Sequence, residues 1–219
     1  MSKEAIILAG GNAFRLKPHT FTPKPLLELK PGLTLLEYQV KWLRKHGFDH
    51  VVVASRTVLL EDLDVEWSLE REKLGTGGAL KQAFTKIRGR KAYVMNVDDI
   101  LLYDPSLLWS WHRSYVSVAL VKARLPFGAV RLEGEKVVGF IEKPWLDFWV
   151  SAGHYVWDWE AVKDYLPDKG DLEVTALPTL AKQGKLWGLT LSSSWYTINT
   201  YKDYVLVKRL VEGGVIPIP

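Results

Sequence analysis

Apolar and polar positions in the first half of the chain alternate between two periods. Residues 4–9 (Glu4-Ala5-Ile6-Ile7-Leu8-Ala9) form a short apolar run that reads as a buried strand. Residues 34–46 place Leu36, Val40 and Leu43 on one face of a helix, with Thr34 as its N-cap and Gly47 ending it. Asp49–Ala54 is a second strand and Val65–Leu69 a further short one. Gly77–Ile87 reads as a helix and Ala92–Asn96 as the next strand. This β-α-β order predicts an α/β fold, a Rossmann-like, mainly parallel sheet with helices on both faces.

The second half changes character. Val116–Lys122, Phe127–Leu132 and Lys136–Ile141 are closely spaced strands, with Glu133-Gly134-Glu135 as the hairpin turn between the last two. Residues 150–157 form another strand, and helices are expected at 159–165, 172–183 and 201–212. The sheet should therefore become mixed, with a lobe built on the later strands. No repeat, low-complexity stretch or long linker interrupts the chain, so one domain over 1–219 is expected.

Composition narrows the classes. The 219 residues are 47% hydrophobic, enough for a sizeable core. No apolar run reaches the eighteen or so residues of a membrane span, and the N-terminus enters the first strand directly, without a signal peptide. The cytoplasm is the expected location. A net charge of +4, scattered along the chain, is too small to argue for nucleic acid. The absence of Cys excludes disulfides and thiolate metal sites, and low Asn, Gln, Met and Cys usage fits a heat-adapted source. There are ten Trp; Trp42 reads as core, and Trp145, Trp149, Trp157 and Trp159 fall close together in sequence.

Candidate chemistry concentrates at the strand ends. After the first strand come Gly10-Gly11, then Arg15-Leu16-Lys17-Pro18 and Pro23-Lys24-Pro25. A Gly pair exposes backbone N–H groups, and two cations in one loop make an anion site suited to a polyphosphate. No Gly-Lys-Ser/Thr follows, so this is not a P-loop, and Arg15 and Lys24 have no place in the dinucleotide fingerprint. Lys73-Leu74-Gly75-Thr76-Gly77-Gly78-Ala79-Leu80 is a Gly-rich turn opening a helix, which presents amides and a positive dipole end. Asn96-Val97-Asp98 ends a strand at the carboxyl edge, where α/β sheets bind ligands.

Taken in order, these segments closely resemble the sugar-phosphate nucleotidylyltransferases, in particular members acting on mannose- or heptose-type sugars with guanine nucleotides. The resemblance runs from about residue 4 to 205. It implies the nucleotide-diphospho-sugar transferase type of fold, with 1–115 as the nucleotide-binding half and 116–219 as the sugar-phosphate-binding half. It also implies transfer of a nucleotidyl group from a nucleoside triphosphate to a sugar 1-phosphate, with Mg²⁺ as cofactor. Leu8, Ala9, Gly10, Gly11 and Asn12, with Gly75, Thr76, Gly77 and Gly78, would bind the nucleotide. Arg15 would contact the β/γ-phosphates and Lys24 would lie nearer the α-phosphate. Asp98 would hold the metal, the side chain of Asp99 pointing elsewhere. In Phe140-Ile141-Glu142-Lys143-Pro144, Glu142 would bond sugar hydroxyls and Lys143 would grip the sugar phosphate. Ser151, Gly153 and Glu173 complete the sugar side, and His154 reads as structural. Arg15, Lys24, Asp98 and Lys143 are thus the catalytic candidates. Neither nucleic acid nor membrane is implied as a partner; a homo-oligomer is compatible.

The chain departs from the family's pattern at several positions. Ala13-Phe14 stands where Gly-Thr is usual, and Ser151 where Asn is usual. In Trp195-Tyr196-Thr197-Ile198-Asn199-Thr200, Thr197 replaces the Asp that is usually the second metal carboxylate, and Asn199 replaces a Gly. Two other readings therefore stand beside the enzyme: a regulatory subunit that binds nucleotide or nucleotide sugar without turnover, and a phosphocholine-type cytidylyltransferase whose Trp residues cage a quaternary ammonium.

Overall fold

The computed structural model describes residues 2–11 and 16–219. Seven strands form one sheet in the order β12-β8-β11-β6-β1-β4-β5. They are β1 (Lys3–Leu8), β4 (Phe48–Ser55), β5 (Glu66–Leu69), β6 (Lys91–Asn96), β8 (Val116–Val121), β11 (Val150–Asp158) and β12 (Leu186–Thr190). Every neighbouring pair is parallel except those made by β11, which runs against both β6 and β8. The sheet is mainly parallel, as the β-α-β rhythm predicts.

Alternation along the strands explains why both faces are covered. Ala5, Ile7 and Ala9 turn to one face and Ile6 and Leu8 to the other; Val51 and Val53 oppose Val52 and Ala54 in the same way. The first face packs against α1 (Leu35–Lys45), α3 (Pro105–Trp111) and α6 (Tyr201–Glu212), through Leu36, Trp42, Leu108 and Val207 among others. The second packs against α2 (Gly75–Phe84), α4 (Trp159–Val162) and α5 (Ala176–Lys182), through Leu80, Phe84, Val162 and Leu180.

Two expectations need correction. Helix α2 begins at Gly75, two residues before the expected start, so the glycines lie inside its first turn. The helix expected over 172–183 is confined to Ala176–Lys182. The preceding residues are held instead by contacts with the start of α2: Asp171 accepts the N–H of Thr76, and Leu172 donates its N–H to Thr76 Oγ1. The later strands make the sheet mixed, as expected, because β11 joins it in the reverse direction. β8, β11 and β12 join the main sheet, and only β9 (Ala129–Glu133) and β10 (Lys136–Ile141) form a hairpin of their own. Two short ladders complete the fold: β2 (Glu28–Lys30) with β3 (Leu33–Thr34), and β7 (Asp99–Leu101) with β13 (Trp195–Thr197).

Candidate active site

A cleft of about 420 Å³ opens at the carboxyl ends of β1, β4 and β6, the edge where parallel sheets bind ligands. β1 delivers Leu8, Ala9, Gly10 and Gly11 to its wall, β6 delivers Asn96, Val97 and Asp98, and the segment after β13 delivers Asn199. Lys24 enters on the short 3-10 turn Lys24–Leu26, where Pro25 is buried and fixes the turn. Lys24 Nζ lies 2.5 Å from Asp98 Oδ2, and both side chains are mostly buried. A cation and a carboxylate are therefore paired at the centre of the cleft before any ligand arrives.

The opposite wall is the start of α2. Gly75, Thr76 and Ala79 line the cleft there, with Lys73, Glu70, Asp171 and Glu173 around them. The helix has no side-chain cap of its own. A strap over 167–173 supplies one: Thr76 N–H donates to Asp171 Oδ1 at 3.1 Å, and Gly77 N–H to the Gly170 carbonyl at 2.8 Å. Thr76 Oγ1 then donates to Glu173 Oε2 at 3.0 Å, which brings Glu173 to the mouth. Gly77 and Gly78 serve this packing. A Cβ at Gly78 would lie 2.4 Å from the Asp168 carbonyl oxygen, and one at Gly77 2.7 Å from Pro167. Their backbone is covered by the strap, so the structure does not bring them to the cleft as nucleotide contacts.

The expected sites thus divide. Leu8, Ala9, Gly10, Gly11, Lys24, Gly75, Thr76, Asp98 and Glu173 converge on one cleft. Glu142 and Lys143 lie beyond its lining, at the end of β10. Both are half-exposed or more, and Lys143 Nζ is 3.8 Å from Glu142 Oε1. Ser151 lies in β11, bonded to the Tyr155 hydroxyl at 2.9 Å and accepting the N–H of Gly153. Gly153 sits where the β11–β8 register slips, at φ +73, and a Cβ there would fall 2.0 Å from Asp99 Oδ2. It permits a close approach of strand to carboxylate. Asn12 and Arg15, with Ala13 and Phe14, lie outside the described residues.

Sequence reasoning missed the surroundings of Asp98. Asp99 is buried, held by Asn96 Nδ2 (3.0 Å), Trp195 Nε1 (3.1 Å) and Thr197. Burial, with the charge of Asp98 beside it, pushes its carboxyl up to about 7. Asn199 donates to Thr197 Oγ1 at 3.2 Å. His154 is fully buried and structural: only its Nε2 can donate to the Asp99 carbonyl (3.1 Å), leaving Nδ1 to accept from the Tyr93 hydroxyl (2.5 Å). Burial lowers its pKa to about 4.

Asp98, Asn96 and Asn199, all oxygen-bearing side chains, line one cleft, and Mg²⁺ takes oxygen ligands, keeps waters and needs only one or two carboxylates. Among the described residues no group of three or more His, Cys, Asp or Glu is placed to hold a metal alone. The donor set fits an ion shared with a ligand's phosphates.

Residues 4–212 match the family model described as nucleotidyl transferase. The chain belongs to the nucleotidyl transferase family. It is 30% identical to the mannose-1-phosphate guanylyltransferase of Mycobacterium tuberculosis, over 99% of this chain and 66% of that one. It is 29% identical to the mannose-1-phosphate guanylyltransferase catalytic subunit beta of Danio rerio, over 92% and 62%. The chain thus spans slightly less than two thirds of the length of these relatives. Its fold is that of HddC from Yersinia pseudotuberculosis: TM-score 0.73, 23% identity, covering 94% of this chain and 98% of that one. A second structure of HddC, complexed with GMP-PN, matches with a TM-score of 0.71. Among the described residues, no helix is long and apolar enough to cross a membrane.

Proposed function

We propose that the chain transfers a nucleotidyl group from a nucleoside triphosphate to a sugar 1-phosphate, giving a nucleoside-diphosphate sugar and pyrophosphate. The observation that carries this is the convergence of Gly10, Gly11, Lys24, Thr76, Asp98 and Glu173 on one ligand-sized cleft in a member of this family. The relatives' names favour guanine and mannose 1-phosphate as substrates. On this reading the nucleotide lies against Gly10, Gly11, Gly75 and Thr76, from the 1–115 half. The sugar phosphate lies toward Glu173 and the 116–219 half, with Ser151 and Gly153 behind it and Glu142 and Lys143 closing from the β10 end.

A sugar 1-phosphate is already an anionic nucleophile, so the task is to gather anions and stabilise developing charge, not to remove a proton. Lys24 and Lys143 would hold the attacking phosphate, Arg15 would balance the leaving pyrophosphate, and Asp98 would hold Mg²⁺. When bound, Mg²⁺ supplies charge neutralisation at the phosphates. Arrival of substrate exchanges the Lys24–Asp98 pair for Lys24–phosphate contact. A cytoplasmic location and a heat-adapted source belong to the same reading.

Thr197 keeps a second reading alive, since its neutral hydroxyl lies within hydrogen bonds to Asn199 and Asp99 where the family usually carries an acid. That reading is a subunit that binds nucleotide sugar without turnover. The cytidylyltransferase alternative loses its geometric basis. Trp157 is fully buried and Trp159 stacks on Phe84, while Trp145 and Trp149, both exposed, already carry the cations of Arg124 and Lys122 over their rings. They form no cage.

The test is a matrix of nucleoside triphosphates against sugar 1-phosphates and phosphocholine with Mg²⁺, read by the mass of the product. GTP with mannose 1-phosphate or a heptose 1-phosphate should give a nucleoside-diphosphate sugar. Tight binding of a nucleoside-diphosphate sugar by a chain that makes no product in any pairing would establish the subunit reading instead.

A further inference from the structure

The Leu74-Gly75-Thr76-Gly77-Gly78 run opens α2, and the strap over 167–173 lies across it. Gly170 N–H donates to the Leu74 carbonyl and Gly77 N–H to the Gly170 carbonyl, both at 2.8 Å. Lys81 and Lys169 fasten the outer edge, to Asp168 at 2.7 Å and to Glu72 at 2.6 Å. The approach is so close that Gly75, at φ +76, has no room for a side chain: a Cβ would fall 2.7 Å from Asp171 Oδ1 and from the Gly170 backbone. Leu172 anchors the strap, buried in the core layer that also holds Leu80 and Leu180.

Thr76 bonds to three consecutive strap residues. Its N–H donates to Asp171 Oδ1 at 3.1 Å. Its hydroxyl accepts the N–H of Leu172 at 2.8 Å. A backbone N–H can only donate, so the hydroxyl proton is left for Glu173 Oε2, at 3.0 Å. Both donors of Thr76 are thus spent on the strap rather than offered to a nucleotide. Asp171 and Glu173 both line the cleft, and each gives one carboxylate oxygen to Thr76. The other oxygen of each remains for a ligand. An ionised carboxylate accepts hydrogen bonds and repels phosphate. On the wall of a cleft that gathers anions, this pair suits the neutral hydroxyls of a ligand.

We propose that Thr76 is a positioning residue for sugar recognition, fixing Asp171 and Glu173 so that the remaining oxygen of each accepts a hydroxyl of the sugar. The proposal rests on the nucleotidyl-transfer reading and extends it in two ways. Asp171 joins Glu173 as a sugar contact. Thr76, from the 1–115 half, acts on the sugar side of the cleft. With Leu172 turned into the core, its two neighbours are the residues left to the cleft. Hydroxyl-to-carboxylate bonds are charge-assisted and weaken steeply when misaligned, so a carboxylate held in place grips a sugar better than one free to rotate.

Isothermal titration calorimetry of the full chain with GDP-mannose and with GDP tests this, since the probes differ by the sugar alone. Thr76→Val removes the hydroxyl at nearly constant volume, and melting curves show whether it folds. It should weaken GDP-mannose by about tenfold or more relative to GDP. Thr76→Ser keeps the hydroxyl and should recover most of that loss. Asp171→Asn keeps an acceptor for the Thr76 N–H but replaces the second oxygen by a donor, and should be selective in the same way. In a Glu173→Gln background, Thr76→Val should add little further selective loss. Lys81→Ala, which cuts only the outer ion pair of the strap, should move neither probe. Equal weakening of both probes by Thr76→Val makes Thr76 a nucleotide contact and overturns the proposal. Unchanged binding by a folded Thr76→Val overturns it too, as does the same selective loss in Lys81→Ala, which would lay the effect on strap docking at large. A wild-type chain that binds GDP-mannose yet makes no product contradicts the transfer reading alone and leaves this comparison decisive.

Discussion

Lys24 and Asp98 are 74 residues apart in sequence and 2.5 Å apart in the cleft. Each was legible in the sequence because each follows a strand that had to end at the same sheet edge. Removing the cation should be costly in a site that works by gathering anions. Lys24→Ala should slow nucleotidyl transfer by roughly two orders of magnitude or more, with the melting temperature little changed, in a single-turnover assay. Asp99 was less legible, because what buries it arrives 54 to 98 residues later, from Gly153, Trp195 and Thr197. Gly153→Ala combines a positive φ with collision against that carboxylate, and urea unfolding should show a loss of roughly 1–3 kcal/mol. His154 gives a pH signature. Its folded pKa of about 4 lies below the unfolded value, so the unfolded chain binds the proton first as pH falls. Its share of stability is complete above about pH 6.5 and is lost on acidification toward pH 4, amounting to about 3 kcal/mol at most. His112, also lowered to about 4, adds in the same direction. Asp99, raised to about 7, opposes both, since its ionisation costs stability as pH rises through that window. The difference between wild type and His154→Gln in urea unfolding, followed from pH 7 to 4.5, should therefore shrink as the pH falls.

Elements with local start and stop signals were read closely; those defined by distant partners were not. α1 runs Leu35–Lys45 under a capping box in which Thr34 accepts the N–H of Glu37 while Glu37 reaches back to Thr34. α6 occupies Tyr201–Glu212 under an equivalent box of Thr200 and Asp203. Both are visible in a four-residue window. Thr34→Ala should cost about 1 kcal/mol in chemical unfolding, since it strips the oxygen that satisfies the Glu37 amide. α2 and α5 were misjudged because the 167–173 strap decides where both begin, and no local residue announces that contact. β12 (Leu186-Trp187-Gly188-Leu189-Thr190) was missed although its sequence is apolar; it is a sheet-edge strand, exposed at three of its five positions, and its only partner among the described residues, β8, lies some 70 residues upstream.

Across the whole molecule, the mainly parallel sheet and its two covering layers follow from apolar runs that alternate between two buried faces. The reversed strand β11 makes the sheet mixed, as the closely spaced later strands predict, whereas the exposed hairpin on its upstream side did not follow. The 127–132 and 136–141 runs have the alternation of core strands, yet their apolar face points to solvent. Hydrophobic pattern says that a face must be covered, not by what. The same limit applies to chemistry: Glu142 and Lys143 fit a sugar-phosphate motif in sequence but sit outside the cleft lining. If nucleotidyl transfer takes place in the Asp98 cleft, Asp98→Asn should abolish it. Pyrophosphate release by wild type and Asp98→Asn should be compared with Mg²⁺, GTP and mannose 1-phosphate, after matching melting curves confirm that both are folded. The account predicts release by wild type and a fall of about three orders of magnitude or more in the variant. A folded Asp98→Asn that releases pyrophosphate at the wild-type rate would contradict it.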